Sequence, residues 1–590
     1  MCGICGELVF DGHPLDDEQM KRMTGKMARR GPDHEAVQRA GRATFGHRRL
    51  KIIDLSDASN QPFVDPDLDL MLVFNGAIYN YKELRTQLRQ AGYRFYSDGD
   101  TEVIVKAYHA WGEACVEKFN GMFAFVIYDG RNDTAFMARD RLGIKPLYYV
   151  KDGSRLIFAS SLPALLETGT VDTHLSSRAL HHYMSFHAVV PAPYTLIRDV
   201  KKLPPATTMT VKSSGETVAR TYWELEFIRD REEDTYGFED WKRLVSDALM
   251  KAVRRRLVAD VPVGVLLSGG LDSSLIVGLL AEAGQKDLKT FSIGFESVGG
   301  ERGDEFKYSD IIADHFGTDH HKIRVDSRQV LPNLPDCVRA MSEPMVSHDC
   351  IGFYLLSKVV ADHVKVVQSG QGADEIFGGY HWYPPMMESH DPAADYRNVF
   401  CDRTHEEFCE IVHEQYAGQD FSREFIEQQF AAPGARMSVD KALRMDATVM
   451  LVDDPVKRVD NMTMAWSLEA RVPFLDHELV ELAAKIPPEF KVGHGGKHIL
   501  KEAARDVIPA DVIDRPKGYF PVPALKYIRG AYFDFVKDIV KSPACRERKI
   551  IRPEYIDLLL ASPEDHITPL RGSKLWQVAL MEFWMQKHGL

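Results

Sequence analysis

The chain opens MCGICGEL. A small residue at position 2 favours removal of the initiator methionine, which would leave Cys2 carrying a thiol and a free α-amine: a nucleophile with a base beside it. Cys2 and Cys5 also form a C-x-x-C, but no second pair completes a zinc site, and the pair does not precede a helix as a redox motif would. A second cluster, Ser268-Gly269-Gly270-Leu271-Asp272-Ser273-Ser274, joins an apolar strand to a helix. Its glycines let the backbone approach a ligand, and the N–H groups opening the helix favour phosphate. The Gly-Lys-Ser/Thr ending of a Walker loop is absent. A third cluster, Ser369-Gly370-Gln371-Gly372-Ala373-Asp374-Glu375, also follows a strand and sets Asp374 near the crevice of Asp272, as a Mg²⁺-nucleotide site needs. A fourth, Arg515-Pro516-Lys517-Gly518-Tyr519, offers the Lys517 ammonium to charge developing on a reacting phosphate.

Two kinds of scaffold must position these groups. Up to about residue 220 the chain reads as short strands, among them GICGELVF, ATFGHRRLKII, LMLVFNGAIYN and DTAFMARD, with a hairpin PLYYVKDGSRLIFAS turning at Asp152-Gly153. Helical periodicity is confined to 17–28, 80–91 and 102–112, so an α+β layered domain with antiparallel sheets is expected. From Phe238 apolar residues recur at three and four through Leu257, and buried strands then alternate with helices. That pattern predicts a doubly wound parallel sheet with its ligand site at the carboxyl ends of the strands, followed by a helical C-terminal part beyond about 400. Domains of 1–220 and 221–590 are expected, since 590 residues exceed one core.

Composition is that of a globular protein, 45% hydrophobic and 27% charged. The net charge of −13 disfavours nucleic acid, and the run Arg254-Arg255-Arg256 reads as a solvated helix face. No apolar stretch reaches the roughly 20 residues that cross a bilayer, so no membrane partner is expected. The eight cysteines, at 2, 5, 115, 337, 350, 401, 409 and 545, are too scattered for a disulfide framework. A cytoplasmic location is expected, and a homodimer is left open.

Arg30-Gly31-Pro32-Asp33, His47-Arg48-Arg49-Leu50, Phe74-Asn75-Gly76, Asp100-Thr101-Glu102 and Arg139 to Gly143 are polar clusters set against apolar strands. With Cys2 they resemble, in order and spacing, the glutaminase domain of class II glutamine amidotransferases, which are N-terminal nucleophile hydrolases. The resemblance implies that Cys2 attacks the glutamine amide carbon, that Asn75 and the Gly76 N–H stabilise the oxyanion, that Arg49 pairs with the substrate α-carboxylate, and that Asp100 holds its ammonium. The family usually reads N-G-E where this chain has Ala77, which implies weaker glutamine binding.

The SGGLDSS stretch matches the pyrophosphate loop of enzymes that cleave ATP between the α and β phosphates. With Arg471-Val472-Pro473-Phe474-Leu475-Asp476 and Lys497-His498 it resembles the asparagine synthetase family over nearly the whole chain. Implied cofactors are ATP and Mg²⁺. Ser268, Gly269, Gly270, Ser273 and Ser274 would hold pyrophosphate, Asp272 and Asp374 the metal, and Leu266 and Ile293 would flank adenine. Ser369 and Gly370 would add backbone contacts. Lys517 would act on the adenylate. The family normally reads S-G-E-G where this chain has Gln371. The stretches Gly378 to Pro385 and Ser297 to Phe306 look more like N-acetylglutaminylglutamine amidotransferases, which implies an acetylated dipeptide as acceptor beside glutamine as donor, with aspartate the alternative. Gln371 would hydrogen-bond that acceptor. A non-catalytic protein on this scaffold would have no reason to keep Cys2, Asp272, Asp374 and Lys517 together. A tRNA-thiolating pyrophosphatase would need neither the glutaminase half nor the negative charge.

Overall fold

The run LMLVFNGAI is apolar at successive positions, so a strand built from it must bury both faces. In the computed structural model, which describes residues 2–296, 304–515 and 528–590, it forms the strand Leu70–Ile78. Leu72 and Phe74 point to one apolar cluster, and Met71 and Val73 to another. Strands run in chain order as β1 (Gly3–Val9), β2 (His34–Ala40), β3 (Ala43–Arg49), β4 (Phe63–Asp65), β5 (Leu70–Ile78), β6 (Gly121–Asp129), β7 (Thr134–Arg139), β8 (Tyr148–Lys151), β9 (Arg155–Ala159), β10 (Val200–Lys202), β11 (Thr207–Val211) and β12 (Thr217–Thr221). They make two six-stranded antiparallel sheets, ordered β10-β8-β9-β1-β3-β2 and β12-β11-β7-β6-β5-β4.

Ile4, Phe45, Val73, Val126 and Phe158 pack between the two sheets. Helices Tyr81–Gln90 and Asp100–Trp111 cover the outer face of the second sheet. Helix Asp17–Lys26 covers the first, placing Met20 and Met23 against Cys5. This is the layered α+β arrangement with antiparallel sheets that the sequence predicts. Strand β6, GMFAFVIYD, is central to the second sheet, yet periodicity alone does not separate its continuous apolar run from a buried helix segment.

The second half holds β13 (Val263–Leu266), β14 (Lys289–Phe295), β15 (Asp319–Val325), β16 (Val366–Gln368) and β17 (Glu469–Arg471). All pair in parallel, in the order β15-β14-β13-β16-β17. Strand order reverses at β13, so the crevice beyond the carboxyl ends of β13 and β16 is the switch point at which such sheets take ligands. The remainder is helical, as expected.

One expectation fails. Of Arg254-Arg255-Arg256 only Arg254 faces solvent. Arg256 is buried against Asp476, and Arg255 pairs with Asp476 and Glu478. Acidic partners more than 200 residues away convert a basic run into a packing device. Between the halves, Arg30 and Lys145 meet Asp460 at 2.9 and 3.3 Å, and Lys202 meets Glu343 at 3.1 Å. Among the described residues no helix is long and apolar enough to cross a membrane.

Candidate active sites

Cys2 lies just before β1, where Gly3 pairs with Arg48 of β3, and β5 of the other sheet packs alongside. A narrow cleft opens there, lined by Cys2, Arg49, Gly76, Ala77, Asp100 and Thr101 and, from β17, by Glu469 and Arg471. Burial pushes the Cys2 thiol up, so it is protonated near neutrality and needs a base to become a nucleophile. The Cys2 nitrogen donates to Asn75 Oδ1 at 3.0 Å. That orients the Asn75 amide and leaves its Nδ2, fully buried and without a hydrogen-bond partner, as an unused donor beside Cys2. An orphaned buried N–H costs about 1–3 kcal/mol, a cost that an incoming oxygen would relieve. Gly76 pairs with Phe123 across the ladder, and a Cβ on it would meet the Met122 carbonyl oxygen at 2.1 Å. Only glycine permits the strand to pass so close.

Asp100 opens the helix Asp100–Trp111 and accepts from the Ile78 N–H at 2.9 Å. Burial nevertheless pushes its carboxyl up to about 6. Arg49 sits in the cleft wall, but both its terminal nitrogens donate to the 53–60 loop: to Ser56 O at 2.6 Å, Asn60 Oδ1 at 2.7 Å, Ile53 O at 3.5 Å and Asp54 O. Both terminal nitrogens of Arg49, which the resemblance assigns to the substrate α-carboxylate, are thus engaged within the chain. Arg471 is placed differently. Its Nε donates to Glu469 at 2.6 Å and its Nη1 to the Arg256 and Val258 carbonyls, while Nη2 is buried and unpaired. Burial pushes Glu469 up, yet the positive charges around it, Arg471 and Lys145 among them, draw it down to about 2. Glu469 and Arg471 carry no local sequence signal for this cleft, because they reach it from the far end of the chain.

Arg30 ties Cys2 to the second half. Its Nε donates to the Cys2 carbonyl at 3.3 Å and its Nη1 to Asp460 at 2.9 Å. Cys5 packs in the apolar cluster, and all eight cysteines are free.

The second, roomier cleft lies at the switch point. Leu266, Ser268, Asp272, Ser273, Ile293, Ser369, Gly370, Gln371 and Asp374 line it, with Phe291 and Phe353 extending its apolar side. Gly269 has a φ of 76°, and a Cβ there would meet Ser309 N at 2.7 Å, so the turn into the helix Leu271–Glu282 demands glycine. Gly270 is the N-cap of that helix, and Ser268 and Ser273 hydroxyls bond each other at 3.0 Å. Ser274 is fully buried and does not line the cleft.

Asp272 and Asp374 converge on Lys497, whose Nζ lies 2.7 and 2.9 Å from their oxygens. The two carboxylates raise the pKa of this buried lysine against its desolvation. Two carboxylates are the kind of oxygen donors that Mg²⁺ takes, and in this structure they share the Lys497 ammonium. Gly379 packs on the trio: a Cβ would meet Asp374 Oδ1 at 2.0 Å and Lys497 Cε at 2.4 Å. Glu375 also lines the cleft, accepts from the Tyr380 hydroxyl at 2.7 Å, and is pushed up to about 7 by burial and by Asp374. Of the Gly378–Pro385 stretch, Tyr380 lines the cleft, whereas Trp382 and Tyr383 turn away to donate to buried Asp446 at 3.0 and 2.6 Å. Lys517 and the Ser297–Gly303 stretch lie outside the described residues.

Strand β17 stands between the clefts. The Arg471 side chain lines the first, and its carbonyl accepts from the N–H of Ser369, which lines the second, at 2.8 Å.

The family model described as Asparagine synthase matches residues 244–586, and the one described as Glutamine amidotransferase domain matches residues 1–223. Asparagine synthetase 1 (glutamine-hydrolyzing) of Bacillus subtilis strain 168 is 33% identical, covering 99% of this chain and 96% of its own. Its asparagine synthetase 3 is 32% identical over 88% of this chain and 87% of its own. Asparagine synthetase B of Escherichia coli K12 is 28% identical over 88% and 82%. With both clefts built from the matched segments, the chain belongs to the asparagine synthase family and carries a glutamine amidotransferase domain at its N-terminal end.

Proposed function

We propose that the protein is a glutamine-dependent, ATP-consuming carbon–nitrogen ligase that amidates an acetylated dipeptide, with its activities divided at about residue 220. The observation that carries the glutaminase reading is the unpaired Asn75 Nδ2 beside the buried Cys2 thiol. The Cys2 amine takes the thiol proton, sulfur attacks the glutamine amide carbon, and Asn75 Nδ2 with the Gly76 N–H receives the oxyanion. Asp100 holds the substrate ammonium, and the charge of Arg49 with the free Arg471 Nη2 holds its carboxylate. Ala77 removes one carboxylate, but Asp100 and Glu469 still face the cleft. Ammonia leaves, and water releases glutamate from the thioester.

In the second cleft ATP adenylates the acceptor carboxylate with release of pyrophosphate. Leu266 and Ile293 flank adenine, and Ser268, Gly269, Gly270, Ser273, Ser369 and Gly370 hold the phosphates through backbone and hydroxyl groups. Asp272 and Asp374 would hold Mg²⁺, which supplies charge neutralisation, and Lys497 and Lys517 would add to it. Ammonia attacks the acyl carbon, AMP departs, and the surplus proton passes to Glu375. A carboxyl held near 7 by its surroundings is suited to that task.

The acceptor follows from Gln371. Its side chain offers two N–H donors and one acceptor to a neutral amide but cannot serve as a base. An acetylated dipeptide carries such amides and aspartate does not, and a site built for them rejects what leaves its groups unpaired. Free cysteines throughout and the absence of a membrane-spanning helix among the described residues support a cytoplasmic setting. The test supplies glutamine, ATP and Mg²⁺ with a panel of carboxylates, including aspartate and N-acetylglutaminylglutamine, and identifies the amide by mass spectrometry. The dipeptide amide is expected to dominate. Efficient asparagine formation with an inert dipeptide would overturn the acceptor and favour aspartate.

A further inference from the structure

Away from both clefts, three helices meet with their ligating groups facing inward. His181 lies on the helix Ser177–Ser185, His405 begins the helix His405–Ile411, and Asp420 is the N-cap of Phe421–Ala431. His181 Nε2 is 3.1 Å from His405 Nδ1 and 3.7 Å from Asp420 Oδ1, and one ligating atom from each residue falls within 4.8 Å of the other two. Two imidazole nitrogens on one tetrahedral zinc stand about 3.4 Å apart, given Zn–N bonds of about 2.1 Å. The spacing needs only a small adjustment.

The surroundings are those of a ligand set. His181 is 1% exposed, and its Nδ1 bonds Ser422 Oγ at 3.0 Å. Ser422 Oγ is in turn 3.1 Å from His182 Nδ1, so a proton on His181 Nδ1 completes the chain and leaves the Nε2 lone pair facing His405. A fixed second nitrogen is what orients a metal-binding histidine. Phe408 packs on the ring at 4.5 Å, while His405 and Asp420 stay partly exposed and leave an entry path.

We propose that His181, His405 and Asp420 bind a zinc ion, with water in the fourth position, clipping the helix Ser177–Ser185 to the helical C-terminal part. The two imidazoles and one carboxylate favour Zn²⁺ over Mg²⁺ or Ca²⁺, which prefer oxygen donors.

The experiment uses the full chain without an affinity tag, stripped with a chelator. Co²⁺ is added as the spectroscopic probe and Zn²⁺ as the competitor. One Co²⁺ per chain with visible tetrahedral bands, displaced by Zn²⁺, is expected. His181→Ala removes a buried ring and could unfold the chain, so the deciding variants are His405→Gln and Asp420→Asn at partly exposed positions. Each should lose the bands and the rise in Tm that Zn²⁺ gives the unmodified protein. Ser422→Ala should weaken affinity by about tenfold or more. The proposal falls if the unmodified chain binds no stoichiometric Co²⁺. It falls equally if both variants keep the bands, since the metal would then sit elsewhere.

Discussion

Cys2 and Asn75 form the smallest unit whose chemistry can be isolated. Cys2→Ala should abolish glutamine-dependent amide formation and leave synthesis from ammonium salts intact, whereas Asp272→Ala should stop both. Asn75→Ala keeps the nucleophile but removes the buried donor, so glutaminase kcat should fall about 10²–10³-fold with little change in KM. Product assays with each nitrogen source separate these outcomes, and identical phenotypes for Cys2→Ala and Asp272→Ala would contradict the division of labour. Asp100 adds a pH signature. Its carboxyl, held at about 6, is charged above that value and neutral below it. Glutamine's ammonium therefore loses its partner as pH falls through 6, and KM for glutamine should rise on the acid side. In Asp100→Asn the KM should be high and flat across the same range, which initial-rate measurements from pH 5 to about 8 would establish.

At the scale of elements, the strand-to-helix turns after β13 and β16 set the synthetase cleft, and their glycines answer to close approach. Gly379→Ala would drive a methyl group into Asp374 and Lys497. Pyrophosphate release should fall at least tenfold while glutamine hydrolysis persists, and comparing the two rates on one preparation checks it. The turns were legible in the sequence because glycine and serine after an apolar strand have a direct physical meaning, and both loops stand where the pattern puts them. So were the layered antiparallel sheets and the parallel sheet, through short strand-like runs with few helices in the first half and strand–helix alternation in the second. Strand β6 was not among the runs read as strands, although it lies at the centre of its sheet. Nor were Glu469 and Arg471 legible as cleft residues, or Lys497 as the partner of Asp272 and Asp374: each is reached across more than a hundred positions, and local pattern carries no such distance. The solvated reading of Arg256 failed for the same reason, its partner being Asp476.

Across the whole molecule, Asp460 is buried between Arg30 of one half and Lys145 of the same half, and it is the acid that neutralises both. Asp460→Ala leaves two buried cations without that partner. Breaking a buried pair costs about 3–5 kcal/mol. Thermal unfolding should begin earlier, and because Arg30 also holds the Cys2 carbonyl, glutamine should be hydrolysed with fewer amides formed per glutamate released. The ratio of glutamate to amide product measures that leak directly. Asp460→Asn, which keeps hydrogen bonding, should recover part of the ratio.

Three residues of β17 serve as a wall shared by two rooms. The Arg471 side chain touches whatever occupies the first cleft, while its carbonyl fixes the Ser369 N–H at the rim of the second. A displacement of that strand on one side is a displacement on the other. Two ligands that bias one mechanical element are thermodynamically linked, and linkage is symmetrical: if ATP tightens glutamine by some factor, glutamine must tighten ATP by the same factor. Cys2→Ala protein, which cannot consume its glutamine, allows both affinities to be measured at equilibrium. Equal, non-unit factors in the two directions are the expected result, and Arg471→Lys, with its point charge in place of the fork, should bring both toward one together.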